Sequence, residues 1–188
     1  MTVFLTPEEA AARLGTAERV LVIGCSGSGK STLSRRLGES LGLPCVSMDR
    51  EVFWMPGWRM RPRAEALDRL REIVARERWI IDGTSPGTLP LRLPRSHLVL
   101  WLRPPRIVSL CGVVSRWLRH RGRTRPDMAD GCPEKIDCEF LSYVWTFEKT
   151  QSPQIEANLA AHGAGVPVCV LKSRAEARRL LAIAGREY

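Results

Sequence analysis

The stretch Gly24-Cys25-Ser26-Gly27-Ser28-Gly29-Lys30-Ser31 decides the fold. It has the spacing G-x-x-x-x-G-K-[ST] of a loop that wraps phosphate. Glycines let successive backbone N–H groups converge into an anion-binding nest with no Cβ in the way. Lys30 sets a point charge at the β- and γ-phosphates, and the Ser31 hydroxyl is a ligand for Mg²⁺. Thr32 follows on the first turn of a helix whose positive end faces the same anion. ATP with Mg²⁺ is the expected ligand.

The flanks supply the context this motif requires. Arg19-Val-Leu-Val-Ile23 is a continuous apolar run, the pattern of a strand buried on both faces. After the loop, Leu33, Leu37 and Leu41 recur every four residues, which predicts a helix stopped by Gly42 and Pro44. Further strands are expected at Cys45 to Met48, Trp79 to Ile81, His97 to Leu102 and Val166 to Leu171. Helices are expected from a capping box at Thr6, from Pro62, from Pro104-Pro105, between Glu134 and Leu159, and from a cap at Ser173. Phe53 to Trp58 reads as an aromatic loop, and Gly122 to Pro133 as a mobile one.

Alternating strands and helices imply an α/β fold, a three-layer α/β/α sandwich around a five-stranded parallel sheet. Right-handed crossovers then gather the residues that follow each strand along one sheet edge. Gly24, Asp49, Asp82, Arg103 and Lys172 all follow strand ends. Residues 1–188 read as a single domain, because no linker or repeat divides them.

Two carboxylates at that edge are candidates for chemistry. Asp49 and Asp82 could each hold water on a metal or accept a proton from an acceptor hydroxyl, although either alone would more often be a turn residue. Asp82 is a candidate metal group through water, together with Ser31. Arginine is concentrated at Arg116, Arg119, Arg121, Arg123 and Arg125. Phosphoryl transfer is catalysed mainly by positioning and charge neutralisation, so arginines on a closing segment suit it. Lys30, Asp49, Asp82, Arg119, Arg123 and Arg125 form the candidate catalytic set. Asp49, Trp54, Trp58 and Arg116 are the candidate acceptor-binding residues. The alternative for the tryptophans is packing against the core.

Composition narrows the classes of function. Charged residues make up 26% and apolar residues 44%, ordinary values for a soluble globular chain. The net charge of +9 admits nucleic acid, anionic membranes or nucleotides as partners. The clustering of arginine beside a phosphate loop favours a nucleotide plus a small-molecule acceptor over direct nucleic-acid binding. No apolar run could span a bilayer. The six cysteines show no C-x-x-C pair and no common zinc spacing, and several lie in apolar runs. With no signal-peptide pattern, a reducing cytoplasm is the expected location. The oligomeric expectation is a monomer or homodimer.

The set Gly24–Ser31, Asp49 with Phe53-Trp54, Ile81-Asp82-Gly83, and Arg119 through Pro133 resembles the topology modulation proteins, small P-loop proteins related to adenylate kinase. The stretch Arg-Gly-Arg-Thr-Arg-Pro-Asp-Met-Ala-Asp-Gly-Cys-Pro-Glu-Lys at 121–135 carries most of that resemblance, which runs from Arg19 to about Leu181. It implies a core like that of nucleoside monophosphate kinases, with an arginine-rich lid at about 119–138. By the same likeness, Arg119 and Arg123 are lid arginines, Arg119 contacts nucleotide, and Lys172-Ser173 is the adenine-side loop. The acceptor-binding helices of adenylate kinase are replaced here by the short Trp54–Pro62 region. A kinase of unspecified acceptor is the leading expectation; a nucleotide-dependent DNA-binding regulator and a non-catalytic ATP sensor are the alternatives.

Overall fold

The computed structural model describes residues 2–185. Strand β1 covers Val3–Leu5 and helix α1 Pro7–Leu14, followed by β2 (Arg19–Gly24), α2 (Lys30–Leu41) and β3 (Cys45–Ser47). A π-helical turn, Asp49–Phe53, leads into a hairpin of β4 (Trp54–Met55) and β5 (Arg59–Met60). Then come α3 (Arg63–Ala75), β6 (Trp79–Asp82), the short α4 (Leu89–Arg92), β7 (Leu98–Leu102) and α5 (Arg106–His120). The chain ends with α6 (Cys138–Thr150), α7 (Ser152–His162), β8 (Pro167–Leu171) and α8 (Arg174–Ala184).

The main sheet has the order β1-β8-β7-β2-β6-β3, and every pairing in it is parallel. It therefore contains six strands, where the sequence predicts five. The sixth is Val3–Leu5, three residues paired with β8 at the sheet edge. Val3 is 50% and Phe4 63% exposed, so this strand lacks the buried apolar run that reveals the others.

Strand β2 lies at the centre because both its faces are apolar. Val20 and Val22 pack into one core with Leu14, Leu33, Leu37 and Leu180, under α1, α2 and α8. Leu21 and Ile23 pack into the other core with Leu70, Val113, Val144 and Leu159, under α3, α5, α6 and α7. Alternation along one strand thus assigns the two helical layers, as the two-residue period of a strand demands. The predicted caps form. Thr6 and Glu9 exchange hydrogen bonds of 2.8 and 3.2 Å, and Ser173 Oγ accepts from the Glu176 N–H at 3.1 Å.

Three local expectations change. The aromatic loop contains the β4–β5 hairpin, whose turn holds Gly57 and Trp58 at φ 77° and 59°. The expected helix between Glu134 and Leu159 is two helices that break at Gln151, where Pro153 starts a new one. Residues 122–133, expected to be mobile, carry a small core of their own. Met128, Ala129 and Cys132 are buried there against Trp54 and Trp58. No described helix is long and apolar enough to cross a membrane.

Candidate phosphoryl-transfer site

The phosphate loop joins β2 to α2, with Gly29 as the left-handed N-cap at φ 105°. Its start is fixed by Thr84, whose hydroxyl accepts from the Gly24 N–H at 2.9 Å and donates to Gly24 O at 2.6 Å. Gly27 has φ +79°, and a Cβ there would lie 2.1 Å from Ser109 O; a Cβ on Gly112 would lie 2.1 Å from Gly27 O. Two facing glycines therefore let α5 press directly on the loop. That approach is what brings Arg116 into the site.

Lys30 donates from Nζ to Cys25 O at 3.0 Å, folding back over its own loop. Asp82, the last residue of β6, is 6% exposed and stands beside Lys30 and Ser31. Burial raises its pKa above the ordinary carboxylate range, while the Lys30 charge and a Ser31 hydrogen bond oppose the shift. Its Oδ1 is buried without a hydrogen-bond partner. A buried carboxylate oxygen left open next to a phosphate-loop serine suits a hydrated Mg²⁺ held jointly with nucleotide phosphates. Such a metal needs few protein ligands. Among the described residues no group of three or more His, Cys, Asp or Glu could form a cage by itself. Cys25 is not primed as a nucleophile; burial pushes its thiol up to about 11.

Behind Asp82, Gly83 has φ +146° and lies where a Cβ would be 2.7 Å from Met48 Cβ. The β6 end can therefore sit against the end of β3, which carries Asp49. The loop after Asp82 is held by Arg92, which is fully buried. Its guanidinium donates to Gly83 O at 2.6 Å, to Ser85 O at 3.1 Å and also to Thr84 O. Burial alone lowers its pKa to about 9. Arg92 lies in a proline-interrupted run of short helices and gave no signal in the sequence.

The arginines of the cluster separate into two groups. Arg116 donates from Nη1 to Ser26 Oγ at 3.2 Å and from Nε to Glu134 Oε1 at 2.7 Å. Burial lowers its pKa, as does the nearby Arg125 charge. Arg125 is 9% exposed and lies 3.4 Å from Glu134, 3.7 Å from Asp127 and 3.6 Å from Asp49. Its Nε makes no directed hydrogen bond, so these are charge contacts. Arg119 is exposed and its Nε donates to Ser115 O of its own helix at 3.2 Å. Arg123 is exposed on the outgoing limb of the 121–135 segment.

That segment rests on the β3 end and the hairpin. Ser47 Oγ donates to Asp127 O at 2.8 Å, and Arg50 Nη1 to Pro126 O at 3.0 Å. Trp58 donates from its backbone to Cys132 Sγ at 3.2 Å and from its indole to Pro133 O at 3.2 Å. Trp54 and Trp58 meet edge to face at 5.2 Å, with both rings supporting the segment. Lys172 and Ser173 lie just before α8, with Ser173 as its N-cap and the Lys172 N–H donating to Glu176. A cavity of about 940 Å³ lies beyond Cys25 between α5, α6 and the β1–β8 edge; Lys172 and Trp145 line it, but Asp49, Asp82 and Arg125 do not. All six cysteines are free, and Cys111 is exposed although its sequence neighbours suggest a buried thiol.

No protein-family model and no curated protein sequence matches the chain. Solved structures do match it. Shikimate kinase from Acinetobacter baumannii, solved with shikimate, is 18% identical over 92% of this chain and 93% of its own, with a TM-score of 0.59. A gluconokinase from Sinorhizobium meliloti is 17% identical over 90% and 92%, with a TM-score of 0.49. Deoxyadenosine kinase from M. mycoides is 12% identical over 89% and 96%, with a TM-score of 0.44. The chain has the three-layer fold of P-loop kinases.

Proposed function

We propose that this chain is a small-molecule kinase that moves the γ-phosphate of ATP to an acceptor bound beside Asp49. One observation carries the reading: Lys30, Ser31 and the buried, half-unpartnered Asp82 meet at one sheet edge, with Arg116 reaching the same loop at Ser26. ATP would supply the transferable phosphoryl group, and Mg²⁺ held by the Ser31 hydroxyl and, through water, by Asp82 would neutralise charge on its phosphates. The loop amides, Lys30 and Ser31 orient the triphosphate. Arg116 and Arg125 neutralise charge on the transferring group, and the 121–135 segment excludes water that would otherwise take the phosphate. Asp49, whose side chain is 52% exposed, accepts the proton where the acceptor offers a hydroxyl. A phosphate acceptor, already ionised, needs no base. The resemblance to topology modulation proteins and adenylate kinases agrees with this reading.

The test is an acceptor screen with γ-labelled ATP over nucleosides, nucleotides, sugar acids and other small metabolites. Label should appear in one acceptor class, and Lys30→Ala should lower its transfer by about 10³-fold or more, the scale of removing a charge-stabilising donor. Transfer that survives in Lys30→Ala would place the chemistry elsewhere.

A further inference from the structure

We infer that Glu134 is a positioning residue that aims Arg116 at the γ-phosphate, so that the site tells a nucleoside triphosphate from a diphosphate. This rests on the kinase reading above. The Glu134 side chain is 4% exposed, and a carboxylate that deep is costly unless cations meet it. Two do. Oε1 accepts from Arg116 Nε at 2.7 Å, and Oε2 lies 3.4 Å from Arg125 Nε.

The geometry at Arg116 points to more than a structural ion pair. A guanidinium is planar and rigid, so fixing two of its nitrogens fixes its plane. Glu134 holds Nε, while Nη1 reaches Ser26 Oγ at 3.2 Å in the phosphate loop. The weaker, neutral contact is the one that faces the nucleotide. A phosphate oxygen can replace the serine hydroxyl at Nη1 without disturbing the charge-assisted bond at Nε. Arg116 then stays aimed during the exchange, and little side-chain entropy is lost on binding.

Glu134 itself is held by the backbone. Its N–H donates to Arg123 O at 3.0 Å, and Thr124 bridges Pro133, closing the stem of the 121–135 segment. Asp137 then caps α6 by accepting from the Phe140 N–H at 2.8 Å. The carboxylate on the returning limb thus locks an arginine on the outgoing helix. Through Arg125, the same carboxylate lies one residue from Asp49 on the acceptor side.

The experiment compares binding of the Mg²⁺ complexes of ADP and of the β,γ-imido analogue of ATP by calorimetry. Wild type should prefer the triphosphate. Glu134→Gln should lose about tenfold of that preference with ADP affinity unchanged, an ordinary coupling energy for groups in direct contact. Glu134→Asp should recover part of the loss. Combining Glu134→Gln with Arg116→Ala should add nothing to Arg116→Ala alone. A folded Glu134→Gln protein with wild-type preference, additive losses in the double variant, or a wild type without preference would each overturn the assignment. Should Glu134→Gln fail to fold, Arg116→Lys keeps the charge without the fork and must show the same loss; unchanged preference in it overturns the assignment as well. Lys30→Ala separates the two readings: it should bind neither nucleotide, and undiminished binding would refute the nucleotide site itself.

Discussion

The two ends of the site are built differently. At the phosphate-loop end, the groups come from strands that pair directly: Val22 is in register with Asp82 on one side and with Leu100 on the other. Positions there follow from the backbone ladder. At the proposed acceptor end, the 47–58 region meets the 126–133 region through hydrogen bonds between residues 74 to 80 apart. Most of these run from a side chain to a carbonyl, and the seal is a handful of apolar groups around two tryptophans. The comparison teaches that a motif fixes chemistry where the backbone carries it. Where side chains carry it, arginines six residues apart can have opposite fates.

The sharpest way to break the comparison is to exchange the arginines. Arg116→Ala should lower phosphate transfer by about 10³–10⁵-fold, the worth of an arginine at a transferring phosphoryl group. Arg119→Ala and Arg123→Ala should cost at least tenfold less in kcat under the same assay, because an exposed side chain off the site has roughly surface-substitution effects. Equal losses at all three would mean that the segment rearranges completely on binding.

The next effect probes the seal. Trp58→Ala should destabilise the protein by about 2 kcal/mol, below the range for a fully buried aromatic. Amides of residues 121–135 should lose their protection from hydrogen exchange, while those of β2 keep theirs. Retained protection would show that the tryptophan does not hold the segment. At the other end, Thr84→Val removes both hydrogen bonds to Gly24 and should cost about 1–3 kcal/mol, read as a lower urea midpoint.

The smallest effect is a pH signature. Burial raises the Asp82 pKa, so within the window above its unfolded value the native state binds more protons than the unfolded state. The Asp82 contribution to stability therefore falls as pH rises from about 4 toward its native pKa. Asp82→Asn should remove that fall. Its gain in Tm over wild type should be larger at pH 7 than at pH 4, by about 2–4 °C per kcal/mol in a chain of this size. An equal gain at both values would mean that the native and unfolded carboxylates titrate alike, so that burial does not raise the Asp82 pKa. The same variant should lose phosphate transfer, which separates the structural cost of the acid from its use.

Much of the fold was legible because its signals are local. Buried runs at 19–23, 79–81 and 98–102 can satisfy their polar backbone only in a sheet covered on both faces. Strand β1 was not legible, because three half-exposed residues look like a tail until β8 pairs with them. The break between α6 and α7 was readable in principle at Pro153; apolar spacing on both sides masked it. Arg92 carried no motif, and Glu134 lay inside the 121–135 signature with no role read for it. Each is recognisable only by what surrounds it: carbonyls left by a tight loop in one case, two guanidiniums in the other.

By itself the sequence determined that β2 ends in a phosphate cradle and that Lys30, Ser31 and Asp82 follow strand ends on one edge. Backbone spacing and parallel crossovers leave those residues nowhere else to be. Tertiary structure alone decided which arginine reaches the phosphate loop. A helix can aim a side chain in any direction around its axis. Only the contact of Gly27 with Gly112, and the Glu134 carboxylate returning from the far limb, turn Arg116 inward and leave Arg119 in solvent.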